Sequence, residues 1–501
     1  MSRVLSLICL LLICAVGPSA ARAAVAPASQ EFKISGVMTH ADHQHYRELP
    51  FKVAAGTTRL TVEFAYTGKD QKSVIDLGVR DPHRFRGWSG GNKQSFTISE
   101  SEATPSYLPG PLPAGDWALV LGVPNLRQGV EARYTATIRL EHSTAFSGFN
   151  PSPIRPTPGW YRGDLHMHTA HSDGSCLSDR GLRIPCPVFK TLQAAHERGL
   201  DFISITDHND TAQNEALREL APYFDDLLLI PGREITTFHG HANVWGPIGP
   251  MDFQLGSARA ASLTTIQTEV EKAGGLISIN HPGQPSSEAC MGCGWTVTET
   301  DYSRIQAVEA VNGGSLRLPG GAESAISGIP FWEARLNAGF HITAVGGSDN
   351  HDAGLEPASK IGIGYPTTVV HAEELSQPAI LGAIRAGHVF VDITGSHDKR
   401  LEVTAACGAQ TAQMGDTLRA PAGAAIGFSI HVTHAAGASI SVVGDGPKPR
   451  LSEVVLRGDD ETRTFEIIAD GQRHWLRADV RGPDGEIWLL GNPIYMSPPG
   501  R

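Results

Sequence analysis

The chain has no lysine- or arginine-rich block, and its 52 acidic residues outnumber its 41 basic ones, for a formal charge of −11. Without a basic stripe there is no electrostatic footprint for a nucleic-acid partner. After the first sixteen residues no apolar run is long enough to span a bilayer, so a membrane-embedded body is not expected. Cysteine is scarce as well. Of seven, Cys9 and Cys14 fall in the first apolar run, leaving Cys176, Cys186, Cys290, Cys293 and Cys407. A zinc site built on the "CMGC" run would need a second thiol or histidine pair, so local staples are expected instead: Cys176 with Cys186, or Cys290 with Cys293, and Cys407 odd. Cysteines in staples do not favour a cysteine nucleophile.

What is present begins with Arg3, an apolar run from Val4 to Val16, and the small-residue site Ala21-Arg22-Ala23. This is the pattern of a secretory signal peptide over 1–23, cut before Ala24, and implies a periplasmic or secreted protein with no membrane contact afterwards. At 501 residues the chain predicts about three domains of ~150 residues each.

Period-two segments such as Leu60, Val62, Phe64 and Tyr134, Ala136, Ile138, Leu140 predict an N-terminal β-sandwich over 24–145. The run "FSGFNPSPIRPTPG" over 146–159 carries four prolines and reads as a semi-rigid linker. Over 160–395 apolar strand runs alternate with helical stretches, one of which spaces Phe189, Leu192 and Ala195 helically, predicting parallel βα units. From 396 to 501 alternation returns, with "RGPDGEIWLL" as a hairpin, predicting a second β-sandwich.

The chemistry concentrates in "GDLHMHTAHSDGS", where His166 and His168 are one residue apart and so share a strand face. Alone, an H-x-H is as well explained by two polar residues on an exposed strand. It gains meaning because other apolar strands also end in ligand-type residues: Asp207-His208, Glu234, His281, and Asp349 with His351. In a parallel βα barrel such strand ends converge on one mouth.

The ordered set H-x-H-T-x-x-S-D-G, T-D-H, G-x-E, N-H-P and S-D-x-H resembles the PHP family, named for polymerase and histidinol phosphatase, over about residues 155–395. The "EITTFHGHANVWG" segment and the flanking β modules are similar to the carbaryl-hydrolase type of metallohydrolase. The resemblance implies an α/β fold, a distorted seven-stranded (β/α) barrel between two all-β modules. It implies two or three divalent metal ions, held by His166, His168, Asp173, His208, Glu234, His281, Asp349 and His351, with Glu234 as the bridging carboxylate. His241 is a further candidate ligand, with His239 or Asn243 as alternatives in that role. His171 and His196 are not expected among the ligands. Mixed carboxylate and imidazole donors suit zinc, manganese or iron.

The implied activity is that of a hydrolase in which a metal-activated hydroxide cleaves an ester-type bond of a small molecule. Asp207, Asp173 or His241 would pass the proton to the leaving group, and Asp207 would also orient a neighbouring imidazole. A phosphoester needs further positive charge, for which Arg233, Arg183 and Lys360 are the basic residues near the mouth, although Arg233 should face oppositely to Glu234. An aryl carbamate or carboxyl ester needs an apolar wall, for which Trp245, Trp295 and Phe331 are available. A different class remains open: a secreted binding protein with a metal-stabilised scaffold. The β modules would frame the pocket or join two subunits as a homodimer.

Overall fold

The computed structural model describes residues 29–150, 152–288, 290–355, 362–446 and 454–499. The predicted leader over 1–23 and the candidate Lys360 lie outside them. Among the described residues no helix is long and apolar enough to cross a membrane.

The N-terminal alternation becomes two facing four-stranded antiparallel sheets. Leu60, Val62 and Phe64 stand opposite Leu140, Ile138 and Ala136 in one sheet, and Trp117, Leu119 and Leu121 of the other sheet meet them in one apolar core. Every second side chain is buried, as a sheet with one wet face requires.

The middle of the chain is mixed α/β and rich in sheet. Its strands are β1 (Gly159–Asp164), β2 (Phe202–Ile205), β3 (Leu228–Thr237), β4 (Gly240–Trp245), β5 (Leu276–Ile279), β6 (Ala307–Asn312), β7 (Thr343–Gly347), β8 (Thr367–Ala372) and β9 (Val389–Asp392). They are hydrogen-bonded in the order β7-β6-β5-β4-β3-β2-β1-β8-β9. "FISI" in β2 and "LISI" in β5 are buried at every position, because helices or neighbouring layers cover both faces. Helix Val188–Glu197 buries Val188, Thr191, Leu192 and Ala195 at helical spacing and leaves Phe189 half-buried.

Two features depart from the expected ring of parallel βα units. First, β4 runs antiparallel to both β3 and β5, because the short turn at Phe238-His239 returns the chain directly. Second, among the described residues the strand ladder does not close into a seven-stranded barrel. Strand β8 pairs antiparallel with β1 along its length and satisfies that edge, so β7 meets the β1 segment only beyond the strand ends, at the Met167–Asn350 bridge. Beside it, Thr368 Oγ1 accepts from Gly346 N and donates to Gly346 O, binding β7 to β8 through a side chain.

The sheet does not stop at residue 395. Strand β9 pairs with β10 (Ile487–Gly491), which forms the predicted hairpin with His474–Arg481. The C-terminal sandwich therefore has one independent four-stranded sheet, while its other layer continues the central sheet to fourteen strands. Val369 and Phe390 of the centre pack in the same apolar cluster as Phe428 and Ile430.

The linker is fastened to the centre. Ile154 and Arg155 exchange backbone hydrogen bonds with Leu375, and Arg155 pairs with Asp201. Cys176–Cys186 and Cys290–Cys293 are disulfides, and Cys407 is a half-buried thiol.

Candidate metal centre

The strand ends deliver their polar residues to one place, and Glu234 on β3 is its middle. Its Oε1 lies 3.4 Å from His166 Nε2, 3.3 Å from His241 Nδ1 and 3.4 Å from His281 Nε2. Its Oε2 lies 2.7 Å from His208 Nδ1 and 3.7 Å from His168 Nε2. A second carboxylate, Asp349, places Oδ1 3.3 Å from both His166 Nε2 and His168 Nε2. A third, Asp173, places Oδ1 3.3 Å from His351 Nε2 and 3.6 Å from His208 Nε2. All nine sequence-predicted ligands are thus within one contiguous cluster.

The cluster has a depth axis. His166, His168 and Glu234 are essentially sealed from solvent, whereas Asp173 is 60% exposed. His208 and His351 lie between these extremes, so the Asp173, His208, His351 side is the cluster's solvent-facing mouth.

Four imidazoles have the tautomer set from behind, by a partner on the nitrogen that faces away from the carboxylates. His166 Nδ1 donates to Glu309 Oε1 at 2.6 Å. His241 Nε2 donates to the Met291 carbonyl at 3.2 Å, and His351 Nδ1 to the Asp349 carbonyl at 2.9 Å. Behind His168 stands a relay: Ser172 Oγ donates to Asp207 Oδ1 at 2.6 Å, so it can only accept from His168 Nδ1, 3.3 Å away. In each case the inward nitrogen keeps its lone pair.

Burial alone would oppose charge here, and neighbours overrule it. Burial pushes the Glu234 carboxyl up, but the surrounding imidazoles, His166 foremost, hold it well below the usual carboxylate range. Asp349 and Asp173 are likewise depressed, Asp349 mainly by His166 and Asp173 by His208 and His351. His208 is disfavoured as a cation by burial, yet Asp173 and Glu234 push it up to about 10. Such a packing of carboxylates against imidazoles holds itself together with protons where it lacks a cation.

The donor set fits divalent metal ions on an independent ground. Nε2 of His166 and of His168 are fully buried without a hydrogen-bond partner, a costly state unless another species meets the lone pairs. Three groups have donors within 4.8 Å of one another: His168, Asp173, His208, His351; His166, His168, Asp349; and His241, His281, Cys293. Two residues of the cluster carry positive φ, His281 (27°) and Asp349 (53°), each costing about 1–3 kcal/mol that the surrounding fold must hold in place.

Several expectations need correction. Asp207 is not a proton carrier at the cluster: it is sealed, and its oxygens take hydrogen bonds from Thr169 N, Thr169 Oγ1 and Ser172 Oγ. Its service to an imidazole passes through Ser172. Both nitrogens of His241 are engaged, Nδ1 facing Glu234 Oε1 and Nε2 the Met291 carbonyl, so neither is free for a leaving group. Of its alternatives, His239 is exposed, and Asn243 donates to the Leu165 carbonyl. His171 stands 3.9 Å from Asp210, and exposed His196 pairs with Asp226. Arg233 turns away, donating to the Pro247 carbonyl, and exposed Arg183 pairs with Asp352. Trp245 is core, donating to the Leu165 carbonyl, and Phe331 packs with Tyr302 and Arg335. Trp295 packs over Gly240, so close that a Cβ there would meet its ring at 2.4 Å, on the strand face opposite the His241 side chain, and its Nε1 donates to Thr300 Oγ1.

Two carboxylates escaped the sequence reading. Glu309 on β6 orients His166, and its Oε2 accepts from His281 N and Asn312 Nδ2. Its signal was the single charge in the buried run "AVEAVN", which demands a partner. Asp164 accepts from His166 N, Ser348 N and Gly364 N, tying the first and last motifs together. A G-x-S-x-G run also occurs, Gly87 to Gly91. Its Ser89 lies on an antiparallel strand with the hydroxyl 2.9 Å from Tyr107 Oη, outside the strand-to-helix turn a nucleophilic serine uses.

No family model and no curated protein matches the chain. Among solved structures it is similar to a two-domain protein from Bacteroides vulgatus containing a predicted PHP-like metal-dependent phosphoesterase. The two are 18% identical over 70% of this chain and 98% of that one, with a TM-score of 0.35. It is also similar to a protein from Bifidobacterium adolescentis described as a metal-dependent phosphoesterase, 16% identical over 43% of this chain and 92% of that one, with a TM-score of 0.27.

Proposed function

We propose that the chain is a metal-dependent hydrolase of PHP type, on a distorted barrel, that cleaves an ester bond of a small molecule, a phosphoester foremost. The ligands are His166, His168, Asp173, His208, Glu234, His241, His281, Asp349 and His351, holding two or three ions of zinc, manganese or iron. The observation that carries this reading is Glu234, whose two oxygens face different sets of imidazoles, as a carboxylate shared between two ions requires. Bound divalent ions would lower the pKa of coordinated water and polarise a substrate oxygen.

The protein's own part is positional. Glu309, Met291, Asp349 and the Asp207-Ser172 relay keep the imidazole lone pairs pointed inward. Asp173, the most exposed carboxylate of the cluster, passes a proton to the leaving group. In this reading residues 1–23 direct export to the periplasm or beyond.

A second reading, hydrolysis of an aryl carbamate or carboxyl ester, is favoured by one observation: Arg233 and Arg183, the described basic candidates for holding a phosphoryl group, are both engaged elsewhere. One experiment separates the readings. Chelated protein reloaded with zinc, manganese or iron is assayed on aryl phosphomonoesters, phosphodiesters and carbamates, beside Glu234→Ala. Metal-restored phosphoester turnover lost in Glu234→Ala supports the first reading, and carbamate turnover the second. Metal binding without any turnover overturns both in favour of a scaffold.

A further inference from the structure

The "CMGC" run fits neither the ligand set nor a remote staple, because the fold brings it onto the metal centre. Cys293 is buried, and its sulfur lies within 4.8 Å of ligand nitrogens of His241 and His281. Met291, inside the disulfide loop, accepts the hydrogen bond that sets the His241 tautomer. Gly292 is so close to β3 that a Cβ there would meet the Thr237 carbonyl at 2.1 Å, so the loop is seated rather than draped. His281 Nδ1 is buried and has no hydrogen-bond partner. The histidine pair that a zinc reading of "CMGC" lacks in the sequence is thus supplied by β4 and by the segment after β5.

We propose that Cys293 is a conditional metal ligand: when the Cys290–Cys293 bond is open, its thiolate joins His241 and His281 around one soft divalent ion such as zinc. With the disulfide closed, the sulfur is bonded to Cys290 and that position keeps only nitrogen and oxygen donors. Opening requires a dithiol reductant, which gives up two electrons and becomes a cyclic disulfide as the S–S bond breaks into two thiols. The Cys293 thiol proton then passes to solvent as the sulfur–metal bond forms. Sulfur, two imidazoles and the Glu234 carboxylate would make a four-donor set of the kind zinc takes.

The inference rests on the reading that His241 and His281 line a metal centre, and cobalt(II) tests both separately. Cys290→Ser leaves Cys293 unpaired without disturbing Cys176–Cys186, and it is loaded with cobalt(II) beside the oxidised wild type and Cys290→Ser/Cys293→Ser. The expected result is a near-ultraviolet thiolate-to-cobalt charge-transfer band in Cys290→Ser alone, with slower loss of zinc to a chelator. Dithiol-treated wild type gives the same comparison without a substitution. Cobalt bound by Cys290→Ser and by reduced wild type with no such band overturns this proposal and leaves the metal centre standing. A band that survives in the double variant assigns it to another thiol, Cys407, and overturns the proposal as well. Failure of every form to bind cobalt overturns the metal-centre reading and the proposal together.

Discussion

Glu309 Oε1 stands 2.6 Å behind His166 Nδ1, and both side chains are sealed from solvent. The carboxylate fixes which nitrogen of the imidazole faces Glu234. Replacing Glu309 by Gln should therefore weaken metal binding by about 10- to 100-fold, the usual effect of losing a carboxylate behind a ligating histidine. A competition titration against a fluorescent chelator reads it, and unchanged affinity would show that Glu309 only fills space.

Gly347 leads to the same pair by a different route. A Cβ there would lie 2.2 Å from Glu309 Oε1 and 2.8 Å from His166 Cβ. Gly347→Ala should displace both and lose bound metal while the β modules stay folded. Metal analysis of the purified variant, with circular dichroism as the folding control, checks this.

The Ser172 relay predicts a graded effect. Ser172→Ala removes the acceptor behind His168 while leaving Asp207 its bonds to Thr169. Metal retention should fall by less than in Glu309→Gln, since the contact is longer and reaches one histidine. Equal losses in the two variants would contradict that ordering.

The pH dependence of stability should differ between metal-free and loaded protein. In the metal-free state His208 is raised from 6.5 to about 10, against the effect of burial, by Asp173 and Glu234. Its contribution to stability is complete below the unfolded value near 6.5 and is lost as pH climbs through about 10. Scanning calorimetry should show the chelated protein melting earlier as pH rises across that window, with metal binding strengthening over the same range. A His208→Gln variant should flatten the slope.

Glu102 makes a prediction away from the centre. It is buried in the N-terminal module, with Oε1 2.7 Å from Arg59 Nη1 and Oε2 paired to Arg218 of the central helix Gln213–Leu220. Glu102→Gln should cost about 1.5–3 kcal/mol, because it takes the charge from a buried carboxylate that holds two half-buried guanidinium groups and leaves Arg59 only the 3.9 Å contact with Glu141. Urea unfolding measures the loss, and the metal content of the folded protein should not change.

His166, His168, His208, His281 and His351 were legible because each follows an apolar strand, and strand ends are what such a sheet gathers together. His241 was ambiguous among its neighbours since the hairpin register, which sets it opposite Thr236, depends on a two-residue turn. Glu309 was hidden because its meaning lies in a partner 143 residues away. Asp207 looked like a rim acid for lack of any sign that Thr169 and Ser172 would take both its oxygens. Barrel closure was not legible at all, because whether β8 or β7 takes the edge of β1 is decided by competition in three dimensions, not by either segment's pattern.

The continuation of the central sheet through Phe390–Asp392 into Leu489–Gly491 bears on how the chain can be divided. A fragment ending at residue 395 would carry every ligand, yet it would present a bare, apolar strand edge to solvent. Such edges recruit other chains, so the fragment should self-associate more strongly than the intact protein. The C-terminal strands are in this sense a built-in guard against aggregation, and a minimal unit that retains the Glu234 cluster must keep them or blunt that edge with charge.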